Sequence, residues 1–152
     1  MMTQSFGKSI RHKTYIAVPR EKVFDTITTA RGWNSFFTNG LEMDPVPGGK
    51  IVWRWKNWGP DFNNLESPGK VIDIRRPGLF VFEWGSRHPT TITIKLSSQY
   101  GGTVIDLTED GYLDTAEDRA MILECAAGWG EALTLLKFFL EHGIIYSRPL
   151  RS

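Results

Sequence analysis

Cysteine and histidine are scarce in this 152-residue chain, which has one cysteine and three histidines. The single cysteine, Cys125, cannot form an internal disulfide. The histidines His12, His88 and His142 lack the i, i+3 or i+4 spacing of metal ligands on a helix, so we expect no metal site. No phosphate-binding loop and no Ser-His-Asp order is present, and we therefore expect no cofactor and no catalytic residue of a familiar motif.

Long runs of one charge and long apolar runs are also lacking. No run of like charges is longer than Arg75-Arg76, and the formal net charge is +1. Nucleic-acid-binding domains usually carry a clustered basic surface, so we expect no nucleic-acid partner. No apolar run approaches the ~20 residues of a membrane helix, and residues 1–9 lack the apolar core of a signal peptide. We therefore expect no membrane span and a cytoplasmic location.

Large aromatic residues, by contrast, are abundant. Six tryptophans and nine phenylalanines are more than a core of this size needs. Such rings line a cavity or form an interface patch in many proteins. The chain length predicts one domain, which we place at residues 8–143, with short tails at 1–7 and 144–152.

The first third of the chain predicts a strand followed by two short helices. Apolar and polar residues alternate over residues 8–18, a strand that Pro19 ends. Apolar residues at helical spacing after the proline predict a short helix. A second short helix is predicted over residues 31–37, with Trp33 and Phe36 on its buried side.

Six further strands are expected, each bounded by turn residues. They cover residues 40–44, 50–56, 69–75, 79–84, 90–98 and 103–109. The stretch between the second and third of these, residues 57–68, is rich in proline, glycine and asparagine and reads as a loop that carries Trp58 and Phe62. Short connections make all seven strands antiparallel.

A long helix is predicted at the end of the chain. Asp114 or Thr115 can cap its start, and Gly143 supplies its end. Its length of ~40 Å is enough to span the sheet. Gly128 and Gly130 lie inside it, and each costs about 1 kcal/mol relative to alanine. We expect a close approach to the sheet, or a bend, to offset that cost.

A curved antiparallel sheet with one amphipathic helix defines the expected fold. The sheet must cover its apolar face with the helix, and where it curves strongly a single helix leaves a cavity. The prediction is an α+β helix-grip fold, a seven-stranded sheet wrapped around the C-terminal helix. The residues expected to point inward are Trp53, Trp55, Ile72, Ile74, Phe82, Trp84, Ile92 and Ile94.

The order of several short motifs resembles a known superfamily. These motifs are Val23-Phe24-Asp25, Trp33, Pro47-Gly48-Gly49-Lys50, Gly69-Lys70-Val71, Pro77-Gly78-Leu79-Phe80-Val81-Phe82-Glu83-Trp84, Gly101-Gly102-Thr103 and Gly128-Trp129. Over residues 8–143 the chain is similar to the START-like (SRPBCC) superfamily, and within it to homologues of the activator of the heat-shock-protein-ninety ATPase. The resemblance implies a helix-grip fold with a hydrophobic cavity, in a superfamily whose members mostly bind lipids, sterols, polyketides or other apolar molecules.

The predicted ligand site is the cavity between sheet and helix. Its expected lining is Trp33, Phe36, Trp53, Trp55, Ile72, Phe82, Trp84, Ile92, Cys125 and Trp129. Trp58 and Phe62 would form a lid over the entrance, or a patch through which two copies of the chain form a homodimer.

Two ionisable or reactive residues in apolar surroundings need separate interpretation. Cys125 lies on the apolar stripe of the long helix and is predicted to pack as a small hydrophobic residue, since no base for a nucleophile is visible. Glu83 lies between Phe82 and Trp84. An inward carboxylate there could act as an acid or base, but strict alternation would direct it to solvent.

Three functions fit this sequence. The leading hypothesis is binding of an apolar or aromatic small molecule in the cavity. An enzyme of the cyclase, aromatase or hydrolase type would use the same cavity, with an inward polar group such as Glu83, Tyr112 or His88. The third hypothesis is a protein-interaction module that acts on a chaperone.

Overall fold

The computed structural model describes residues 4–86 and 88–146. Its elements follow the order predicted from the sequence. They are β1 (Ile10–Ile16), α1 (Arg20–Ile27), α2 (Ala30–Phe36), β2 (Glu42–Met43), β3 (Lys50–Trp58), β4 (Asn63–Arg75), β5 (Leu79–Trp84), β6 (Thr90–Gln99), β7 (Gly102–Asp110) and α3 (Ala116–His142).

The strands form one antiparallel sheet with the order β1-β7-β6-β5-β4-β3-β2. Strands β2 to β7 are neighbours in the order of the chain and are joined by successive hairpins. Strand β1 forms the edge beside β7, with paired residues from Ile10↔Glu109 to Ile16↔Thr103. The α+β helix-grip class and the seven-stranded curved sheet are therefore confirmed.

The region between β3 and β4 differs from its prediction. Residues 57–68 were expected to form a loop, but β3 continues to Trp58 and β4 begins at Asn63, so only residues 59–62 form the turn. The pairing shifts between Trp55↔Leu65 and Trp58↔Asn63. The start of β4 pairs only with β3, because β5 joins it from Gly69 onward. Edge strands tolerate proline and asparagine, which explains why turn-forming residues extend the hairpin here.

A β-bulge in β4 overturns the inward placement of Ile72. Val71 pairs with Phe82 and Asp73 pairs with Val81, which leaves Ile72 without a partner between them. Ile72 is 42% exposed, whereas Val71 is fully buried. The prediction that Ile72 faces inward was wrong, because the extra residue of a bulge interrupts the alternation on which it rested.

The interior between the sheet and the second half of α3 is filled. Trp33, Phe36, Trp53, Phe82 and Ile92 are at most 2% exposed. A space between α2, β6, β7 and α3 measures about 10 Å³, which is at the lower limit of what a single water molecule needs. The predicted central cavity is therefore a packed core, and open space lies elsewhere.

Helix α3 is anchored through only part of its length. Thr115 caps its start by accepting a hydrogen bond from the Asp118 N–H at 3.1 Å, and Gly143 ends it with φ 69°, as predicted. In its first half only Asp118 is buried, while the second half buries Trp129, Ala132, Leu133, Leu136 and Leu140. None of the helices described, α3 included, is long and apolar enough to cross a membrane.

The two glycines of α3 have different surroundings. A Cβ on Gly130 would lie 3.4 Å from Cε1 of His12 on β1, whose Nε2 is 2.9 Å from the Ala126 carbonyl oxygen. The predicted close approach of the helix to the sheet is therefore present at Gly130. A Cβ on Gly128 would meet nothing within 4 Å, because this residue faces open space.

Candidate functional site

A cleft lies between the first half of α3 and the strands β3, β4 and β5. It has a larger lobe of about 520 Å³ near the start of the helix and a smaller lobe of about 270 Å³ beside Gly128. The lobes share five wall residues, which makes them one continuous space. These residues are Trp55, Leu65, Trp84, Met121 and Cys125.

Aromatic rings form most of the smaller lobe. Trp84 and Trp129 stack with centroids 5.0 Å apart and an interplanar angle of 23°. Phe37 contacts Trp55 and Trp58 edge-on, at 5.5 and 5.7 Å. These contacts between β3, β5 and the helices hold the rings in place, so the lobe has a preformed aromatic wall.

A buried carboxylate forms hydrogen bonds with two tryptophans of this wall. Glu109 on β7 has no exposed surface. Its Oε2 accepts hydrogen bonds from Trp84 Nε1 at 2.9 Å and from Thr90 Oγ1 at 2.5 Å. Its Oε1 accepts one from Trp129 Nε1 at 2.8 Å. One side chain thus fixes residues of β5, β6 and α3 at the cleft.

The bonding pattern of Glu109 is that of an ionised group. Both oxygens accept, and all three partners are donors. None of the ion pairs formed by the described residues includes this carboxylate, so neutral donors alone stabilise its charge.

Glu109 was not predicted as a site residue, although the sequence contains a signal for it. Ile105, Leu107 and Glu109 alternate along β7 and are buried on one face of the sheet. A glutamate that continues the buried face of a strand needs hydrogen-bond donors, and a buried tryptophan needs an acceptor for its indole N–H. Together these two needs predict a hydrogen bond between Glu109 and a buried tryptophan.

Tyr112 and Cys125 adjoin the carboxylate inside the larger lobe. Tyr112 is 3% exposed, and its buried hydroxyl has no hydrogen-bond partner among the described residues. Burial raises the pKa of Tyr112, and the nearby Cys125 and Glu109 raise it further. Burial also raises the pKa of the Cys125 thiol, as do the charges of Glu109 and Glu124. A thiol with a raised pKa is a poor nucleophile at neutral pH.

A histidine–aspartate pair lies at the mouth of the larger lobe. His88 Nε2, on the connection between β5 and β6, lies 2.8 Å from Oδ2 of Asp118 on α3. The Leu113 N–H donates to the same oxygen, at 2.6 Å, so Oδ2 of Asp118 has two polar partners. Among the residues that the structure describes, no three His, Cys, Asp or Glu side chains form a group that could hold a metal ion.

Glu83 lies outside the cleft. Its register partners are Lys70 on β4 and Thr91 on β6, both exposed, while its neighbour Phe82 is fully buried. Alternation therefore places this carboxylate on the outer face of the sheet, as the solvent interpretation predicted.

The predicted lining residues separate into three groups. Trp55, Trp84, Cys125 and Trp129 line the cleft. Trp33, Phe36, Trp53, Phe82 and Ile92 belong to the packed core, and Ile72 lies on the outer surface.

The two residues predicted as a lid are also separated. Trp58 lines the smaller lobe and contacts Phe37 and Tyr146. Phe62 lies at the tip of the β3–β4 hairpin, 43% exposed, and is not part of the lobe walls. Whether the hairpin closes over the cleft stays a prediction.

Several wall residues were not predicted. They are Phe37, Leu65, Glu66, Ser67, Gly85, Ser86, Thr90, Glu117, Asp118, Met121, Glu124, Gly128 and Glu131. Leu65 and Ser67 lie in the stretch expected to be a loop. The residues of α3 were missed because the helix was expected to present a single apolar stripe to the sheet.

Solved structures share this fold. Protein SSP2350 from Staphylococcus saprophyticus is 26% identical, with 91% of this chain and 96% of that chain covered and a TM-score of 0.72. The Aha1 dimer from Colwellia psychrerythraea is 24% identical, with 90% and 98% covered and a TM-score of 0.75. CalU16 from Micromonospora echinospora is 20% identical, with 95% and 76% covered and a TM-score of 0.69.

The sequence itself identifies the family. No curated protein sequence matches the chain significantly. The model of one protein family matches residues 17–141. This range includes every helix and strand except β1 and the last residue of α3. The chain therefore belongs to the family of Activator of Hsp90 ATPase homolog 1-like proteins.

Proposed function

We propose that this protein binds an apolar or aromatic small molecule in the cleft between β3–β5 and the first half of α3. The larger lobe, at about 520 Å³, falls within the range of roughly 300–1,000 Å³ that is typical of ligand pockets, and the adjoining lobe adds about 270 Å³. Most of the exposed lining surface is apolar, and polar side chains, five carboxylates among them, supply the rest.

The observation that carries this proposal is the fixed pair of tryptophans. Glu109 accepts both indole N–H groups, of Trp84 and Trp129, so neither indole N–H is left to bond a ligand. The half-buried Trp84 therefore offers ring carbon to the cleft, and Trp129, which is 2% exposed, supports it through the stacking contact. A flat or aliphatic ligand body gains contact area on such a wall, and little ordering of the protein is needed on binding.

Gly128 supports the same proposal. A glycine inside a helix costs about 1 kcal/mol relative to alanine, and no neighbour requires it here. Its missing side chain enlarges the smaller lobe, which it lines. The loss of stability caused by this glycine is explained if a ligand needs the space that a side chain would fill.

Blocking the smaller lobe tests the proposal. We expect the neutral fluorescent probe N-phenyl-1-naphthylamine to bind the wild-type protein saturably, and Gly128→Leu to weaken that binding at least tenfold. Ala127→Leu places the same side chain on the neighbouring exposed position and should leave the affinity within twofold. Urea unfolding of both variants checks that they fold. Equal affinity of the probe for Gly128→Leu and wild type would contradict the proposal.

A second candidate function is hydrolysis of a bound aromatic ester. The 2.8 Å contact between His88 and Asp118 favours it, because a carboxylate that orients an imidazole is a common general-base arrangement. His88 would take a proton from water as the water attacks the ester carbonyl, and the imidazolium would then protonate the aryloxide oxygen that leaves as the acyl C–O bond breaks. With 1-naphthyl acetate, His88→Gln and Asp118→Asn should each lower turnover at least 100-fold. Turnover unchanged in both variants would reject this function.

A further inference from the structure

The charged side chains of the cleft are almost all acidic. Five carboxylates line its two lobes, and His88 is the one basic side chain among the lining residues that the structure describes, with no lysine or arginine. The carboxylates are Glu66, Glu117, Asp118, Glu124 and Glu131. The whole chain carries a formal charge of +1, so the excess of negative charge is a property of the cleft and not of the chain in general.

Among these carboxylates, Glu66 and Asp118 have cationic or basic partners. Arg54 Nε lies 3.1 Å from Glu66 Oε2 on the outer side of the sheet, and His88 contacts Asp118. Glu124 and Glu131 take part in none of the ion pairs that the described residues form. They are seven residues apart, two turns along α3, so both project from one face of the helix into the smaller lobe.

The rings of the smaller lobe complement those two charges. Phe37, Trp55, Trp58, Trp84 and Trp129 surround the same space. Aromatic ring faces carry a negative quadrupole that attracts cations, most strongly for tryptophan. The combination of several ring faces with nearby carboxylates is the chemistry that recognises protonated or methylated amines.

The buried carboxylate of Glu109 adds to the negative electrostatic potential of the cleft. Glu109 accepts hydrogen bonds from both stacked indoles and from Thr90, lines neither lobe, and has no ion-pair partner among the described residues. Burial raises the pKa of the Cys125 thiol in the wall, a hydrogen bond with Tyr112 lowers it in part, and the charges of Glu109 and Glu124 raise it further. A ligand anion would meet repulsion from the same groups, whereas a ligand cation would be attracted.

We infer that the ligand of this cleft is an organic cation, a protonated or quaternary amine on an aromatic or aliphatic body. The charged nitrogen lies in the smaller lobe, among the tryptophans and between Glu124 and Glu131. The apolar body extends along Leu65 and Met121 into the larger lobe. This inference rests on the proposed binding function and names the chemical class of its ligand.

Three probes that share one ring and chain but differ in charge test the inference. They are 4-(1-naphthyl)butylamine, 4-(1-naphthyl)butan-1-ol and 4-(1-naphthyl)butyrate, titrated into the full chain by calorimetry at pH 7.5 and low salt. We expect the amine to bind at least tenfold tighter than the alcohol, which corresponds to about 1.4 kcal/mol. The carboxylate should bind more weakly than the alcohol. Added salt should reduce the difference between amine and alcohol.

A pair of variants assigns the preference to the cleft. Glu124→Gln/Glu131→Gln should weaken binding of the amine at least fivefold and leave the alcohol within twofold. Glu21→Gln/Asp44→Asn removes the same charge from exposed positions outside the cleft and should change neither affinity.

The outcomes separate this inference from the function on which it rests. If amine and alcohol bind equally, or the carboxylate binds most tightly, the cationic ligand is rejected and apolar binding stands. If the wild-type protein binds none of the three probes, both proposals are rejected. If the amine preference survives in Glu124→Gln/Glu131→Gln, the assignment to the smaller lobe is rejected.

Discussion

At the scale of single residues, Glu109 has the greatest influence on the site. Its two oxygens bond Trp84, Thr90 and Trp129, which come from three different elements. A buried donor that loses its acceptor costs about 1–3 kcal/mol, and such costs within one network do not simply add. The stability of the cleft wall therefore depends on a single side chain that no ligand is proposed to touch.

Replacing this residue should lower the free energy of unfolding strongly. We expect Glu109→Ala to cost about 3–5 kcal/mol, because three buried donors lose their acceptor and a cavity remains. Glu109→Gln keeps one acceptor oxygen and should cost less, about 1–3 kcal/mol. Urea unfolding measures both. Glu83→Gln, on the outer face, serves as the control and should stay within about 0.5 kcal/mol of wild type. A cost below about 1 kcal/mol for Glu109→Ala would contradict the assigned role.

The thiol of Cys125 should react slowly. Its pKa is raised, so at any pH between 7 and the folded pKa the native protein holds less thiolate than an unfolded chain. We expect iodoacetamide at pH 8 to alkylate the native protein at least about tenfold more slowly than the urea-unfolded protein. Because the charge of Glu124 contributes to the raised pKa, Glu124→Gln should speed up the native reaction. Mass spectrometry of timed aliquots gives both rates, and a native rate equal to the unfolded one would contradict this expectation.

At the scale of elements, two helical glycines have opposite roles. A Cβ on Gly32 in α2 would overlap the backbone carbonyl of Thr26 in α1, so these two helices meet only because the side chain is absent. A Cβ on Gly128 in α3 would meet nothing. The same substitution thus tests close packing at one position and open space at the other.

Alanine at these two positions should change stability in opposite directions. Gly32→Ala should destabilise the protein by about 2 kcal/mol or more, since the backbones of α1 and α2 must move apart. Gly128→Ala should stabilise it by about 0.5–1 kcal/mol through helix propensity and a less flexible unfolded chain. Chemical denaturation of the two variants beside wild type provides the comparison. Changes of the same sign would show that one of the two environments is misassigned.

The elements also show how far the sequence could predict this protein. The turn residues Pro77-Gly78 before β5 and the cap residues Thr115 and Gly143 are local signals, and the predicted β5 matches Leu79–Trp84. The bulge at Ile72 is not local, because it depends on pairing with a strand that comes later in the chain. The site was predicted less well than the fold. The cleft lies where α3 leaves the sheet, and that place is set by tertiary packing rather than by the apolar pattern of the helix.

At the scale of the whole molecule, α3 divides into two parts of unequal stability. Its second half lies on the filled core, whereas its first half covers the open cleft and buries Asp118 alone. Regions with few buried apolar contacts open locally at a lower free energy than the core. Ligand binding and partial unfolding therefore involve the same half of the helix.

Hydrogen exchange should reveal this division. We expect backbone amides in residues 119–127 to exchange at least about tenfold faster than those in residues 132–140, because local opening exposes them without unfolding the core. An occupied cleft should slow exchange in the first segment and leave the second unchanged. Peptide-resolved mass spectrometry measures both segments in one experiment. Equal protection along the helix would mean that α3 opens as one unit.

The bonds of Glu109 also constrain how this protein can vary during evolution. A mutation that removes the glutamate leaves two indoles and a hydroxyl unsatisfied, while a mutation of Trp84 or Trp129 leaves a buried charge with fewer donors. Neither change is easily tolerated alone, so the positions should be inherited together. Relatives with an apolar residue in place of Glu109 are expected to have lost at least one of the two tryptophans as well. The presence of all three residues in a relative would then indicate that it has kept the same aromatic wall.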